Sequence, residues 1–165
     1  MKTLLLDKQH HDRANFDCGV DALNNYLKMM ASQQSGKDNS RTFVLEDAEK
    51  TGVIIGYYTL TMTQADLGRL PARLQKKHQS NHSAGLIARL AVDRRYAGKG
   101  YGEFLLVDAL VKLLQASEVV AFPFVLVDAK AGVARFYEKM GFTPFHDVPD
   151  SLFMTMADIR RTLNP

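Results

Sequence analysis

The sequence predicts an α/β fold, and three observations predict it. Short runs rich in β-branched and aromatic residues recur along the chain; stretches with apolar residues at helical spacing lie between them; and "GLIARLAVD" leads through a glycine-rich loop into a long apolar segment. A chain of 165 residues, 46% hydrophobic and 24% charged, is long enough for one sizeable core and short for two, so residues 1–165 are expected to form a single domain. No stretch is apolar over the length a bilayer requires, and "MKTLLLDKQHHD" meets acidic and polar residues too early for a signal peptide. A cytoplasmic protein with no membrane partner is the expectation.

The elements follow in order. Leu4 to Leu6 start a short strand, and Val20, Leu23, Leu27 and Met30 recur at helical spacing behind Asp17, which predicts a first helix. The polar run "SQQSGKDNS" is a loop, and "RTFVLED" with "GVIIGYYTLTM" reads as a hairpin turning at "AEKTG". Leu67, Leu70 and Leu74 form a short helical stripe broken by Pro71. After the strand "GLIARLAVD", the segment "GEFLLVDALVKLLQ" is apolar on too many sides for a surface helix and must pack onto a sheet. "FPFVLVDA" is the next strand, "GVARFYEKM" a helix closed by Gly141, and "LFMTM" a last strand before a basic, frayed tail.

The charge balance, 21 Lys and Arg against 18 Asp and Glu, permits an anionic partner without demanding one. Cys18, the only cysteine, can form no internal disulfide and reads as a small buried apolar residue. His10 and His11 are adjacent and would point to opposite faces of a strand, while His78 and His82 lie in a polar connector with no carboxylate motif such as H-E-x-x-H. No metal is expected.

The loop "RRYAGKGYG", Arg94 to Gly102, is the most informative stretch. A loop that leaves a strand and opens a helix turns unpaired N–H groups and the positive end of the helix dipole toward whatever lies before the helix, and phosphate is the usual occupant. Glycines at 98, 100 and 102 let the backbone approach such an anion, with Arg94, Arg95 and Lys99 supplying charge around it. The bland alternative is a flexible glycine turn. The order of glycines fits neither the Walker pattern nor the G-x-G-x-x-G dinucleotide fingerprint.

It does fit R-x-x-G-x-G, as Arg95-Tyr96-Ala97-Gly98-Lys99-Gly100, and in this it resembles the acyl-CoA pyrophosphate loop of the GNAT acetyltransferases. "ARLAVDRRYAGKGYGEFLLVDAL" is similar to that superfamily's cofactor strand, loop and helix, and "VDAKAGVARFYEKMGF" to its following strand and helix. "FDCGVDALNNYL", "RTFVL", "GYYTLTM" and "LFMTM" resemble a narrower branch, the toxins of bacterial toxin–antitoxin pairs that acetylate aminoacyl-tRNA. The resemblance implies the GNAT fold, a mixed and strongly bent sheet with helices on both faces and a cleft where the cofactor strand leaves its neighbour. It implies acetyl-CoA as co-substrate, aminoacyl-tRNA as acceptor, a ribbon-helix-helix antitoxin as partner and a homodimer.

By the same resemblance, the backbone of Leu90, Ala91 and Val92 pairs with the pantetheine arm, and Arg95, Tyr96, Ala97, Gly98, Lys99, Gly100, Tyr101 and Gly102 hold the pyrophosphate. Tyr137 becomes the general acid that protonates the departing thiolate, and the Val92 N–H the donor to the oxyanion. Read from its residues alone, Tyr137 is a core tyrosine on the apolar face of "ARFYEKM". No general base is evident, which suits an α-amine with a pKa of about 8 better than a lysine-like amine of about 10.4. Lys130 departs from the asparagine that many relatives place near the cofactor. Arg89 either faces the acceptor or joins a structural ion pair. The cations Arg73, Lys76, Lys77 and Arg41 are candidates for the RNA backbone, against the commoner reading of charge runs as solvated faces. Two other functions compete: acetylation of a small amine or a protein N-terminus, and non-catalytic binding of acetyl-CoA.

Overall fold

A computed structural model describes residues 1–129 and 132–164. The elements are β1 (Thr3–Leu5), α1 (Asp21–Asn25), a π-helical turn (Tyr26–Met30), α2 (Ala31–Gly36), β2 (Arg41–Glu46) and β3 (Ile54–Gln64). There follow a 3₁₀ turn (Leu67–Arg69), α3 (Ala72–Lys77), β4 (Ser83–Val92), a second 3₁₀ turn (Arg94–Tyr96) and α4 (Tyr101–Val119). β5 (Phe124–Asp128), α5 (Ala134–Lys139), β6 (Thr143–Pro144), β7 (Ser151–Thr155) and α6 (Met156–Leu163) complete the order. Among the described residues seven strands form one mixed sheet in the order β1-β2-β3-β4-β5-β7-β6, flanked by helices, as the expected fold class requires. Backbone contacts group the chain into two compact units, Met1–Thr61 with Ala88–Ala109, and Met62–Ile87 with Leu110–Pro165.

The first unit is built on an antiparallel ladder in which β2 pairs with β1 and β3. Thr42 faces Thr59 across it, and their buried hydroxyls bond at 2.8 Å, a cross-strand pair that fixes the register. Phe16, Tyr26, Leu27, Val44, Ile54 and Tyr57 fill the core beneath. The π-helical turn shifts the face of the first helix by one residue, so Ala31 is buried where Met30 was expected, and Met30 is 46% exposed. Asp108 on α4 accepts from the Tyr58 hydroxyl at 2.5 Å and from Thr3 Oγ1 at 2.6 Å, which pins the helix to β3 and β1. Gly56 allows the closest approach: a Cβ there would stand 2.7 Å from the Ala91 carbonyl oxygen and 2.7 Å from Leu105 Cδ1.

In the second unit β4 runs parallel to β5 from Ala84↔Phe124 to Ile87↔Val127, and β5 pairs antiparallel with β7. Leu70, Leu74, Ala84, Phe124, Phe145 and Phe153 form its core. The expected frayed tail is instead α6. Thr155 caps it by accepting from the Asp158 N–H at 3.1 Å, and Met156 and Ile159, three apart, are buried beneath it. The two-residue strand β6 was also absent from the sequence reading; it pairs with β7 at Thr143↔Phe153.

Candidate active site

The parallel ladder stops at Ile87↔Val127, while β4 continues for five more residues to Val92. Along that extension the Asp93 N–H donates to the Ile55 carbonyl at 2.8 Å, and the Ala91 carbonyl lies against Gly56 of β3. Alternation along a strand then turns the main-chain groups of Leu90 and Val92 to the opposite edge.

The loop begins on Asp93, a carboxylate buried to 1% exposure whose Oδ1 caps the 3₁₀ turn by accepting from the Arg95 N–H at 2.9 Å. Burial by itself would raise its pKa, but hydrogen bonds from the Arg95 guanidinium and from the Asp17 and Arg95 N–H groups outweigh it and hold the carboxyl below its ordinary value. Gly98 and Gly100 follow at φ +75° and +84°, and a Cβ at either would meet nothing within 4 Å. Their need for glycine is therefore conformational, and open space lies in front of them. α4 starts immediately after, at Tyr101, so its first N–H groups face the same opening.

The three loop cations differ. Arg94 is paired with Asp17, whose carboxyl falls to about 2 through hydrogen bonds from Gly19 N–H, Asn24 and then Arg94. The guanidinium of Arg95 is held by Asp93. Among the described residues Lys99 has no carboxylate partner; its Nζ lies 5.9 Å from the Tyr96 ring centroid. The Tyr96 hydroxyl donates to Asp47, and its ring stands edge to face with that of Tyr101 at 6.1 Å. Ala97 is exposed in the loop, and Gly102 is half-buried in the first turn of α4.

Tyr137 is buried to 5% exposure on α5, edge to face with Phe136 and Phe142. Its hydroxyl has no hydrogen-bond partner among the described residues, and burial pushes its pKa up to about 12. Lys130 lies outside the described residues.

Arg89 has its guanidinium 3.6 Å from the centroid of the buried Tyr26 ring and no ion-pair partner among the described residues, so of its two alternatives the structural ion pair is not formed and a cation–π contact stands in its place. Arg41 is held by Asp38 at 2.5 Å and by the Ser35 carbonyl at 2.9 Å. Lys76 is exposed on α3. Arg73 and Lys77, one turn apart on the same helix, line a cavity of about 420 Å³ whose other wall carries Arg160 and Arg161 of α6. The sequence reading missed those two because the tail was not recognised as a helix. Asp158 pairs with Arg161, and burial and the neighbouring Lys77 lower the pKa of His78.

The adjacent histidines are in a turn, not a strand. Their rings meet edge to face at 4.8 Å, and His10 Nε2 lies 2.5 Å from Glu46 Oε1. Three possible ligand atoms from His10, His11 and Glu46 lie within 4.8 Å of one another. The Asp7 N–H, however, donates to His11 Nδ1 at 2.9 Å, which puts the ring proton on the buried Nε2. His11 thus offers a donor rather than a lone pair, and the trio reads as a brace between the N-terminal turn and the β2–β3 hairpin.

Comparison with known proteins bears on this geometry. Residues 38–144 match the family described as Acetyltransferase (GNAT) domain. The chain is 30% identical over 165 residues to "Probable toxin TacT" of Sinorhizobium fredii, covering 94% of this chain and 91% of that one. It is 31% identical over 150 residues to the "tRNA-acetylating toxin" of Mycobacterium tuberculosis, with 90% and 89% covered. Among solved structures, one described as "AtaT complexed with acetyl-methionyl-tRNAfMet" superposes with a TM-score of 0.88 at 27% identity, covering 99% of each chain. A tyrosine-to-phenylalanine mutant of KacT gives a TM-score of 0.85 at 29% identity over 92% of each chain. The strand, glycine loop and helix described above lie inside the matched region, and the chain belongs to the GNAT acetyltransferase family.

Proposed function

We propose that the protein transfers the acetyl group of acetyl-CoA to the α-amine of aminoacyl-tRNA and so blocks translation, as the toxin of a toxin–antitoxin pair. The observation that carries the cofactor half is the loop, where two left-handed glycines face open space at the N-terminus of a 19-residue helix, behind a strand with outward N–H groups at Leu90 and Val92. A relative solved as "AtaTR bound with AcCoA", with a TM-score of 0.84, supports it. The acceptor half is supported by the relatives described as a tRNA-acetylating toxin and as a complex with acetyl-methionyl-tRNA.

In this reading the neutral amine attacks the thioester carbonyl, the Val92 N–H stabilises the oxyanion, the C–S bond breaks, and Tyr137 gives its proton to the thiolate while the nitrogen releases its own to water. Lys99 and the loop N–H groups meet the pyrophosphate. Arg73, Lys76 and Lys77 on α3, joined by Arg160 and Arg161, meet RNA phosphates. Arg89, held on Tyr26, faces the acceptor. A relative solved with the C-terminus of its antitoxin supports an antitoxin as partner, here a ribbon-helix-helix protein, and a homodimer is the working form. A cytoplasmic location follows from translation as target, and no helix among the described residues is long and apolar enough to cross a membrane.

Release of CoA thiol tests the reading. Thiol should appear with acetyl-CoA and charged tRNA, and not with deacylated tRNA or spermidine. Release with spermidine alone would make this a small-amine acetyltransferase, and acetyl-CoA binding without release on any amine would make it a non-catalytic binder.

A further inference from the structure

Arg95 stands inside the R-x-x-G-x-G spelling, yet its guanidinium is turned toward the protein. Nε donates to Asp93 Oδ1 and Nη2 to Asp93 Oδ2, both at 3.0 Å, a two-pronged pair on a carboxylate whose side chain is 2% exposed. The same carboxylate accepts from the Arg95 N–H at 2.9 Å and from the Asp17 N–H at 3.0 Å. The Arg94 N–H returns a bond to the Asp17 carbonyl at 2.9 Å. One buried carboxylate therefore ties together the end of β4, the first turn of the loop and the segment that leads into α1.

We propose that Asp93 and Arg95 are a positioning pair for the pyrophosphate loop. The guanidinium sets the loop's shape, and the phosphate charge is met by the loop N–H groups and Lys99. The inference rests on the reading of the loop as an acetyl-CoA site, and it separates two roles for the motif arginine that predict opposite outcomes. An arginine that met the phosphates directly would be freed by Asp93→Asn, and affinity would hold or rise. A positioning arginine loses its anchor in Asp93→Asn, so that change should weaken binding as much as Arg95→Gln does. Arg95→Lys keeps the charge but loses the planar fork, and should fall with Arg95→Gln.

Calorimetry with acetyl-CoA on the wild type, Arg95→Gln, Arg95→Lys, Asp93→Asn and the Asp93→Asn/Arg95→Gln double variant decides the matter. Each single change should weaken acetyl-CoA by roughly tenfold, and the double variant should be no weaker than the worse single one, because all break one pair. The loss of turnover should be smaller with S-acetylpantetheine, which lacks the pyrophosphate, than with acetyl-CoA. Wild-type acetyl-CoA affinity in Asp93→Asn, additive losses in the double variant, or equal losses with S-acetylpantetheine would overturn the pair. If Asp93→Asn does not fold, the arginine variants decide: Arg95→Lys at wild-type affinity beside a weakened Arg95→Gln would overturn it. A wild-type protein that binds no acetyl-CoA would instead overturn the reading of the loop.

Discussion

Tyr137 combines burial with an unpartnered hydroxyl among the described residues. With its pKa raised to about 12, the phenol keeps its proton through the whole working range, as the proposed general acid must. Tyr137→Phe should lower kcat by about 10²-fold, with acetyl-CoA affinity unchanged by calorimetry and the melting temperature little altered. The pH profile of kcat/KM for an aminoacyl acceptor should rise with the deprotonation of its amine, near about pH 8, and show no falling limb up to pH ~10. A falling limb centred near neutrality would assign the acid to another group. At the loop, Gly100→Asp places a charged side chain in the open space and forces a non-glycine residue to φ +84°, so acetyl-CoA binding should fall by at least about tenfold. Unchanged calorimetric affinity would contradict the loop assignment. The burial of Tyr137 and the glycine turn at Gly98 and Gly100 were legible from spelling. Asp93 was not, because a single Asp before "RRY" reads as solvated charge, and only the fold shows it buried under four donors.

The elements that position the site were the easiest to read. β4, the loop and α4 have a strong strand-to-helix change of pattern, and the β2–β3 hairpin is rich in β-branched and aromatic residues. Two elements were hidden for local reasons: a π-helical turn moves the buried face of the first helix, and α6 is only eight residues long with most of its surface charged. The cost of missing α6 was the cationic wall opposite Arg73 and Lys77. Reversing both arginines there, Arg160→Glu with Arg161→Glu, should slow acetylation of charged tRNA and flatten its salt dependence while leaving a small aminoacyl ester as good a substrate as before. Equal salt slopes in variant and wild type would remove the groove from the RNA interface. Packing between elements is testable at Gly56, where Gly56→Ala should cost about 1–3 kcal/mol because the approaching atoms include backbone. Asp17 and Asp93 make a prediction of the opposite kind. Their folded pKa values lie below the ordinary carboxylate range, so the stability they contribute is complete above about pH 4 and lost as pH falls toward the Asp17 value of about 2. A thermal-melt series from pH 5 to pH 2 should show that decline, and it should be shallower in Asp93→Asn.

For the whole molecule, family and chemistry point the same way. A GNAT enzyme without an evident general base is suited to an amine that is partly neutral at pH 7, and the ester-activated α-amine of aminoacyl-tRNA is such an amine. Acetylation turns that nucleophile into an amide that cannot attack in peptide-bond formation, so expression of the wild-type protein alone should stop growth, and Tyr137→Phe should restore it. The central claim is tested most directly by incubating radiolabelled acetyl-CoA with charged and with deacylated total tRNA, then treating the RNA with mild base to cleave the aminoacyl ester. Label confined to the charged pool and released as N-acetyl amino acid is the predicted result. Label that enters deacylated tRNA equally, or stays on the RNA after the ester is cleaved, would contradict acetylation of the α-amine.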